Sequence, residues 1–173
     1  MTERSVETFV LDAAVVFRGK PMQVMGRMQL EGASGQISYR YLLSDGAGAP
    51  VLLEQVASAR YVLLRPFPPA AQPQTAGNTV TVGDERYTLV GVRRLKVLEA
   101  LGQISGALRQ AELLLSGMFE GPMGTLMREL APGSDRQVYY LVRPLASGDM
   151  LSAAAHAAAR ETASRAAGSG DDD

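Results

Sequence analysis

Apolar and polar side chains alternate through much of the first half of the chain. The clearest stretch is residues 22–30, where every second residue from Met22 to Leu30 is apolar or glycine. A period of two is typical of a strand that buries one face. Gly26 interrupts the apolar face, and it predicts either a β-bulge or a bend where another backbone approaches.

A further alternating stretch follows at residues 36–45, after the glycine-rich turn GASG, and the turn DGAG leads to a return strand at residues 49–56 and a fifth candidate strand at residues 59–67. Turns at intervals of about 8–12 residues are typical of an antiparallel meander. Residues 66–78 then contain four of the nine prolines, which cannot donate to a strand ladder. We therefore predict two small β lobes, residues 6–73 and residues 76–146.

Two stretches of the second half fit either a strand or a helix. Residues 93–102 show both spacings, and residues 123–130 place apolar side chains at helical intervals before a hairpin-like segment. We interpret both as strands, the first by analogy with residues 26–32 and the second because glycine and proline crowd its start and a hairpin-like return follows it. The helical alternative stays open for both.

The two halves share a pattern that suggests a duplicated module. In each half, a glycine-interrupted strand (Gln23–Leu30, then Tyr87–Leu95) precedes an arginine-bearing strand, a glycine-containing turn and an apolar strand. In this alignment Arg40 and Arg128 hold comparable places. The predicted fold is mainly β, with two antiparallel meander lobes packed together.

The C-terminal segment changes composition and predicts a helix followed by a disordered acidic tail. Residues 148–166 are rich in alanine, the best helix former, whereas residues 167–173 are mostly Gly, Ser and Asp. The predicted core is drawn from the apolar strand faces: Val15, Phe17, Val24, Tyr39, Tyr41, Leu43, Leu52, Val62, Leu64, Val80, Tyr87, Leu89, Leu114, Val138 and Leu141.

Composition narrows the classes of function. Seventeen basic and eighteen acidic residues leave a net charge of −1, which does not favour nucleic-acid binding. The chain has no cysteine, no apolar run long enough for a membrane span and no recognisable signal peptide. We expect a cytoplasmic protein without direct membrane insertion.

The sequence offers few of the groups that enzymes use. The single histidine, His156, lies among alanines, and no spacing predicts a metal or cofactor site. Carboxylates occur in or beside many strands, but their spacing selects no acid–base pair. For Arg40 and Glu54 we expect a cross-strand pair with a structural role. We therefore predict no catalytic residues, cofactor or metal.

Residues Phe17–Glu54 resemble an uncharacterised bacterial domain family, a domain of unknown function. The resemblance rests on a Gly–x–x–x–x–Val–x–Gly strand, an aromatic–x–Tyr–x–Leu strand, a glycine turn and a short apolar strand; here these are Gly19, Val24, Gly26, Tyr39, Tyr41, Leu43 and Leu52. Residues 83–90 are similar to the family's second part. Its members are often encoded beside phage-shock-A-like coiled coils, small membrane proteins or polyamine-synthesis enzymes. The resemblance implies no known active site.

We expect a non-catalytic binding or assembly module that docks on a protein partner, including a membrane-associated one. Met25, Leu42 and Leu53 are the candidate contacts, because they interrupt the polar faces of predicted strands. The alternative is an enzyme that uses strand-borne carboxylates and arginines on a polyamine-related or phosphorylated small molecule.

Overall fold

The computed structural model describes residues 8–104, 113–132 and 137–168. The described residues are mainly β and end in a helix, as predicted. The strands are β1 (Ala14–Phe17), β2 (Lys20–Gly32), β3 (Ile37–Ser44), β4 (Val51–Ala57), β5 (Arg60–Pro66), β6 (Gln74–Ala76), β7 (Thr79–Val82), β8 (Glu85–Gly102), β9 (Leu113–Gly121), β10 (Gly124–Leu130), β11 (Gln137–Pro144) and β12 (Met150–Ser152); helix α1 spans Ala153–Gly168.

Eight of the strands close into an antiparallel barrel. The sheet runs in the order β12-β1-β2-β3-β4-β5-β11-β10-β9-β8-β7-β6, and a further pairing of β2 with β8 closes the ring. The β12–β1 and β7–β6 pairs extend outside this ring. The two predicted meanders are thus present, joined edge to edge through β5–β11 and β2–β8.

The strand pairing has twofold pseudosymmetry. Strands β1–β5 correspond in order to β7–β11, and β12 pairs with β1 as β6 pairs with β7. Each seam joins a strand to its own counterpart. The register extends the correspondence to single residues. Leu30 lies opposite Val97, and their counterparts Leu95 and Gly32 also lie opposite each other.

The two glycine-interrupted strands predicted from the sequence contain a β-bulge at the same position. The register of β2 against β3 shifts between Val24 and Gly26, which makes Met25 the extra residue of a bulge. The register of β8 against β9 shifts in the same way before Gly91, with Val90 as the extra residue. A bulge adds twist and bend to a strand, which a small closed barrel needs.

Gly26 also lies where a second backbone approaches. It pairs with Gly102 at the β2–β8 seam, and a Cβ at Gly26 would lie 2.7 Å from Ile104 Cγ1 and 3.1 Å from the Gln103 carbonyl oxygen. Gly102 has a φ of +71°, and a Cβ there would overlap the Met25 carbonyl oxygen. Both predictions for Gly26, a β-bulge and the close approach of a second backbone, are confirmed.

Most barrel strands are buried on both faces. Leu30 and Leu114 pack inside the barrel, and Leu64 and Met127 pack further along the same interior. Outside, two further clusters cover the barrel at equivalent places: Phe9, Val15, Met22, Val24, Tyr41, Leu43, Leu53 and Met150 form one, and Val80, Tyr87, Phe119, Leu126 and Tyr139 form the other. The flanking strand pairs thus close off both outer surfaces.

The strand interpretation of both ambiguous stretches is confirmed. Residues 93–102 belong to β8, and residues 124–130 form β10 between β9 and β11. Long-range pairing outweighs the helical spacing here, because each strand hydrogen-bonds to neighbours along its length.

Two boundaries and one alignment from the sequence are corrected. The helix begins at Ala153, not at residue 148, because Met150 is buried and pairs with Phe17, and because Ser152 Oγ accepts a hydrogen bond from the Ala155 N–H. It reaches Gly168, so residues 167–168 are helical and only 169–173 of the predicted tail lie outside the described residues. The strand β3 corresponds to β9, so the counterpart of Arg40 is Ser116 and not Arg128.

Candidate functional site

The barrel interior holds a buried ionic layer made of Arg40, Glu54, Ser116 and Glu129, with Arg93 at its outer end. Arg40 comes from β3 and Glu54 lies directly opposite it on β4. Ser116 lies opposite Glu129 on β9 and β10. Because Arg40 and Ser116 are counterparts, so are the two glutamates, and each half contributes one carboxylate.

Arg40 spans the barrel to reach Glu129. Its Nη1 and Nη2 atoms donate to Glu129 Oε1 and Oε2, each at 2.6 Å, and Ser116 Oγ donates to Glu129 Oε2 at 2.8 Å. Arg40 and Glu129 are 1% and 2% exposed. The planar guanidinium fork matches a carboxylate at two points, which makes this the strongest kind of ion pair.

The cross-strand pair predicted between Arg40 and Glu54 is present but looser. Arg40 Nε lies 3.8 Å from Glu54 Oε1, and neither atom has a hydrogen-bond partner. Glu54 Oε2 lies 3.5 Å from Arg93 Nη2. The sequence thus identified the structural pair, whereas it did not identify Glu129 as the main partner of Arg40.

The ion pair between Arg40 and Glu129 stays ionised despite its burial. Burial alone would lower the pKa of Arg40, but the charges of Glu129 and Glu54 outweigh burial and hold the pKa above its usual value. Burial alone would raise the pKa of Glu129, but Arg40 and the Ser116 hydrogen bond hold it below its usual value. Burial, with the Glu129 charge, raises the pKa of Tyr140 to about 12.

Arg93 connects the ionic layer to the surface. Its side chain is 36% exposed, its Nη2 lies 3.6 Å from Met127 Sδ, and its Nε is buried without a hydrogen-bond partner. Arg93 also lines a cavity of about 360 Å³ at one end of the barrel. The cavity lies between the β2–β3 turn, from Gly32 to Gln36, and the middle of β8.

Three of the apolar side chains that line this cavity are exposed. Ile37, Val56 and Val92 come from three strands, line the cavity and are 40%, 38% and 64% exposed. We call these three residues the cavity rim. These residues were not predicted from the sequence, although Val92 lies on a strand face that Arg94 and Lys96 otherwise make polar.

The three candidate contacts from the sequence do not form one exposed surface. Leu53 is fully buried in the outer cluster, opposite Tyr41 and Leu63, so its predicted exposure is wrong. Leu42 is half-buried and pairs with Gly26 and Leu52, on the face of β3 that looks into the barrel.

Met25 is half-buried and lines an open groove of about 320 Å³ beside Asp45. A docking role for it stays a prediction. The reason for the failure at Leu53 is that the outer face of the sheet is covered by Phe9 and the β1–β12 pair, which local alternation does not reveal.

Among the residues that the structure describes, no group of three or more His, Asp or Glu side chains could hold a metal ion. In the same part of the chain, no helix is long and apolar enough to cross a bilayer. His156 lies half-buried on α1, a helix without buried residues. Comparison with protein-family models, with curated proteins and with solved structures finds no match to this chain.

Proposed function

We propose that the protein is a non-catalytic binding module of the bacterial cytoplasm that docks on a protein partner through the cavity rim. The observation that carries this proposal is the convergence of Ile37, Val56 and Val92, three exposed apolar side chains from different strands, on one cavity. Exposed apolar groups gathered beside an arginine are typical of protein-binding surfaces.

The ionic layer supports a structural role for the barrel interior. Arg40 neutralises Glu129 and lies beside Glu54, so the charges have partners inside the protein. The resemblance of residues 17–54 to a family encoded beside coiled-coil and membrane proteins is consistent with docking on a membrane-associated partner. Of the charged residues in this layer, only Arg93 also lines the cavity.

The alternative is an enzyme that acts on a polyamine-related or phosphorylated small molecule with the same carboxylates and arginines. The observation in its favour is that Glu54 and Glu129 converge on one guanidinium. The geometry favours binding, because Glu129 has a lowered pKa and is therefore a poor proton donor near neutral pH.

The test uses the tagged full-length chain as bait in lysate of its native cell. We expect Val92→Asp and Ile37→Asp to abolish capture of a specific partner while the variants keep the wild-type circular dichroism spectrum. The matched control is Val10→Asp, since Val10 is 67% exposed and does not line the cavity. Capture that survives both rim variants, or that Val10→Asp also abolishes, contradicts the proposal.

A further inference from the structure

One edge of β8 is only partly paired. Along this edge, Glu85–Thr88 pairs with β7 and Leu95–Gly102 pairs with β2. Between them the Leu89 N–H donates to the Asn78 carbonyl, and no strand in the described residues pairs with residues 90–94 on this side. On the opposite edge of β8, Gly91–Arg94 pairs with β9. As far as the described residues go, the backbone groups of residues 90–94 that point to this edge can therefore accept a strand.

The equivalent edge of β2 is occupied. There Gly26–Gln29 pairs with Glu99–Gly102, the last residues of β8, and the Gln103 N–H donates to the Met25 carbonyl at 2.7 Å. The counterpart of Gly26–Gln29 in β8 is Gly91–Arg94. No described residue pairs with it in the same way, because β2 ends at Gly32 and turns into β3, whereas β8 continues to Gly102.

The two counterpart glycines show the difference directly. A Cβ on Gly26 would meet Ile104 and Gln103, whereas a Cβ on Gly91 would have no neighbour within 4 Å. The cavity described above lies at this place, between the β2–β3 turn and residues 92–95. The cavity therefore lies where, by the pseudosymmetry, a strand would pair with β8.

The occupied edge shows which chemistry fits the open one. In the occupied pair, the segment Glu99–Leu101 lies antiparallel to Arg27–Gln29, with the sequence acidic–small–apolar. Glu99 also pairs with Arg27 at 2.6 Å, which holds the strand end in place. The counterpart of Arg27–Gln29 is Val92–Arg94.

The side chains of the open edge select for a similar segment. Arg94 would lie opposite the acidic position, where it adds a positive charge. Val92 would lie opposite the apolar position, and the residue opposite Arg93 would point into the barrel mouth, where a small side chain fits. With Lys96 nearby, the edge is basic and apolar, which complements an acidic–small–apolar strand.

We propose that Gly91–Arg94 binds an extended acidic–small–apolar segment of the partner protein as an added antiparallel strand. This inference rests on the proposed function, since it assigns the binding mode at the same cavity. Strand addition uses backbone hydrogen bonds for affinity and alternate side chains for specificity.

The probe is a labelled peptide with the sequence of residues 96–103, KVLEALGQ, titrated with the full chain and followed by fluorescence anisotropy. We expect saturable binding. Reversing the acidic position of the peptide to lysine should weaken binding about tenfold, and Arg94→Glu in the protein should restore it. Arg86→Glu, on the paired part of the same strand, is the matched control and should leave binding unchanged.

Two isomeric peptides test whether the segment binds as a strand. One carries N-methyl groups at the glutamate and following leucine, and the other at the alanine and following glycine. An added strand presents only alternate N–H groups to its neighbour, so one isomer should bind about tenfold more weakly and the other about as well as the parent. Equal binding of both isomers, or no binding of the parent, overturns the inference.

The outcomes separate this inference from the proposed function. If Val92→Asp abolishes partner capture but the peptides show no alternate-site effect, the docking surface stands and strand addition is wrong. If the peptides behave as expected but Val92→Asp does not reduce partner capture, strand binding at this edge is supported and the proposed function is wrong. A dimer in sedimentation velocity that Arg94→Glu dissociates would assign the edge to a second copy and overturn the inference. So would peptide binding that increases about tenfold when residues 169–173 are removed, since this would make the acidic tail the occupant.

Discussion

Arg40 and Glu129 form a two-point ion pair across the full width of the barrel, joining a strand of the first half to the diametrically opposite strand of the second. Both side chains are removed from water, and Ser116 provides a third hydrogen bond. The pair therefore ties the pseudosymmetric halves together at their centre.

Removing one partner of this pair should be strongly destabilising. Glu129→Ala leaves the Arg40 charge buried with only Glu54 nearby, so we expect the free energy of unfolding to fall by about 3–5 kcal/mol. The control is Glu99→Ala, which removes the exposed partner of the Arg27–Glu99 pair and should cost less than about 1 kcal/mol. Urea denaturation measures both; equal losses would mean that the buried pair adds nothing beyond a surface pair.

Alkaline pH should destabilise the protein through Tyr140. Its pKa is raised to about 12 in the folded state, mainly by burial, from an ordinary value of 10.0. The stabilisation is therefore complete below pH 10 and is lost as the pH rises toward 12, because the unfolded chain ionises first. The total loss from this group is about 2–3 kcal/mol.

Tyr140→Phe should remove this part of the pH dependence while leaving the protein folded at pH 8. Urea denaturation at pH 8, 10 and 11 measures the slope for both proteins. Parallel slopes for wild type and variant would show that Tyr140 does not titrate differently in the two states.

The counterpart glycines Gly26 and Gly91 should respond differently to the same substitution. Gly26→Ala forces its Cβ against Ile104 and the Gln103 backbone, so we expect a loss of about 1–3 kcal/mol. Gly91→Ala enters open space and should change stability by less than about 0.5 kcal/mol. Thermal unfolding of both variants checks this; a similar loss at Gly91 would mean that its edge is covered in solution.

Alanine substitutions at Leu53 and Met25 should differ in their effect on stability, because Leu53 is a core position and Met25 is a surface position. Leu53→Ala leaves a cavity in the outer cluster beneath Phe9 and should cost about 2–5 kcal/mol. Met25→Ala, at the half-exposed bulge, should cost less than about 1 kcal/mol. Chemical denaturation of the two variants gives the comparison, and a mild effect at Leu53 would contradict its burial.

Local pattern alone predicted most of the strands and turns and pointed to the repeated bulge, whereas residues 93–102 and 124–130 became strands through long-range pairing. Alternation in residues 22–30, the glycines at positions 26 and 91, and the turn residues between strands all act within a few residues, so they can be read without knowing the fold. The alanine-rich helix follows from propensity in the same way, although its start at Ala153 depends on the pairing of Met150 with Phe17.

Only the tertiary structure decided which strand faces are buried and which charges meet. Tyr41 and Leu53 point away from the barrel interior, yet they are buried because segments distant in sequence cover them. Arg40 meets Glu129 only because the ring closes, and no spacing in the chain places a residue of β3 opposite one of β10. The open edge of β8 likewise depends on two strands of unequal length meeting at one seam. Alternation is a local property of the backbone, whereas burial and ion pairing depend on what the rest of the chain places nearby.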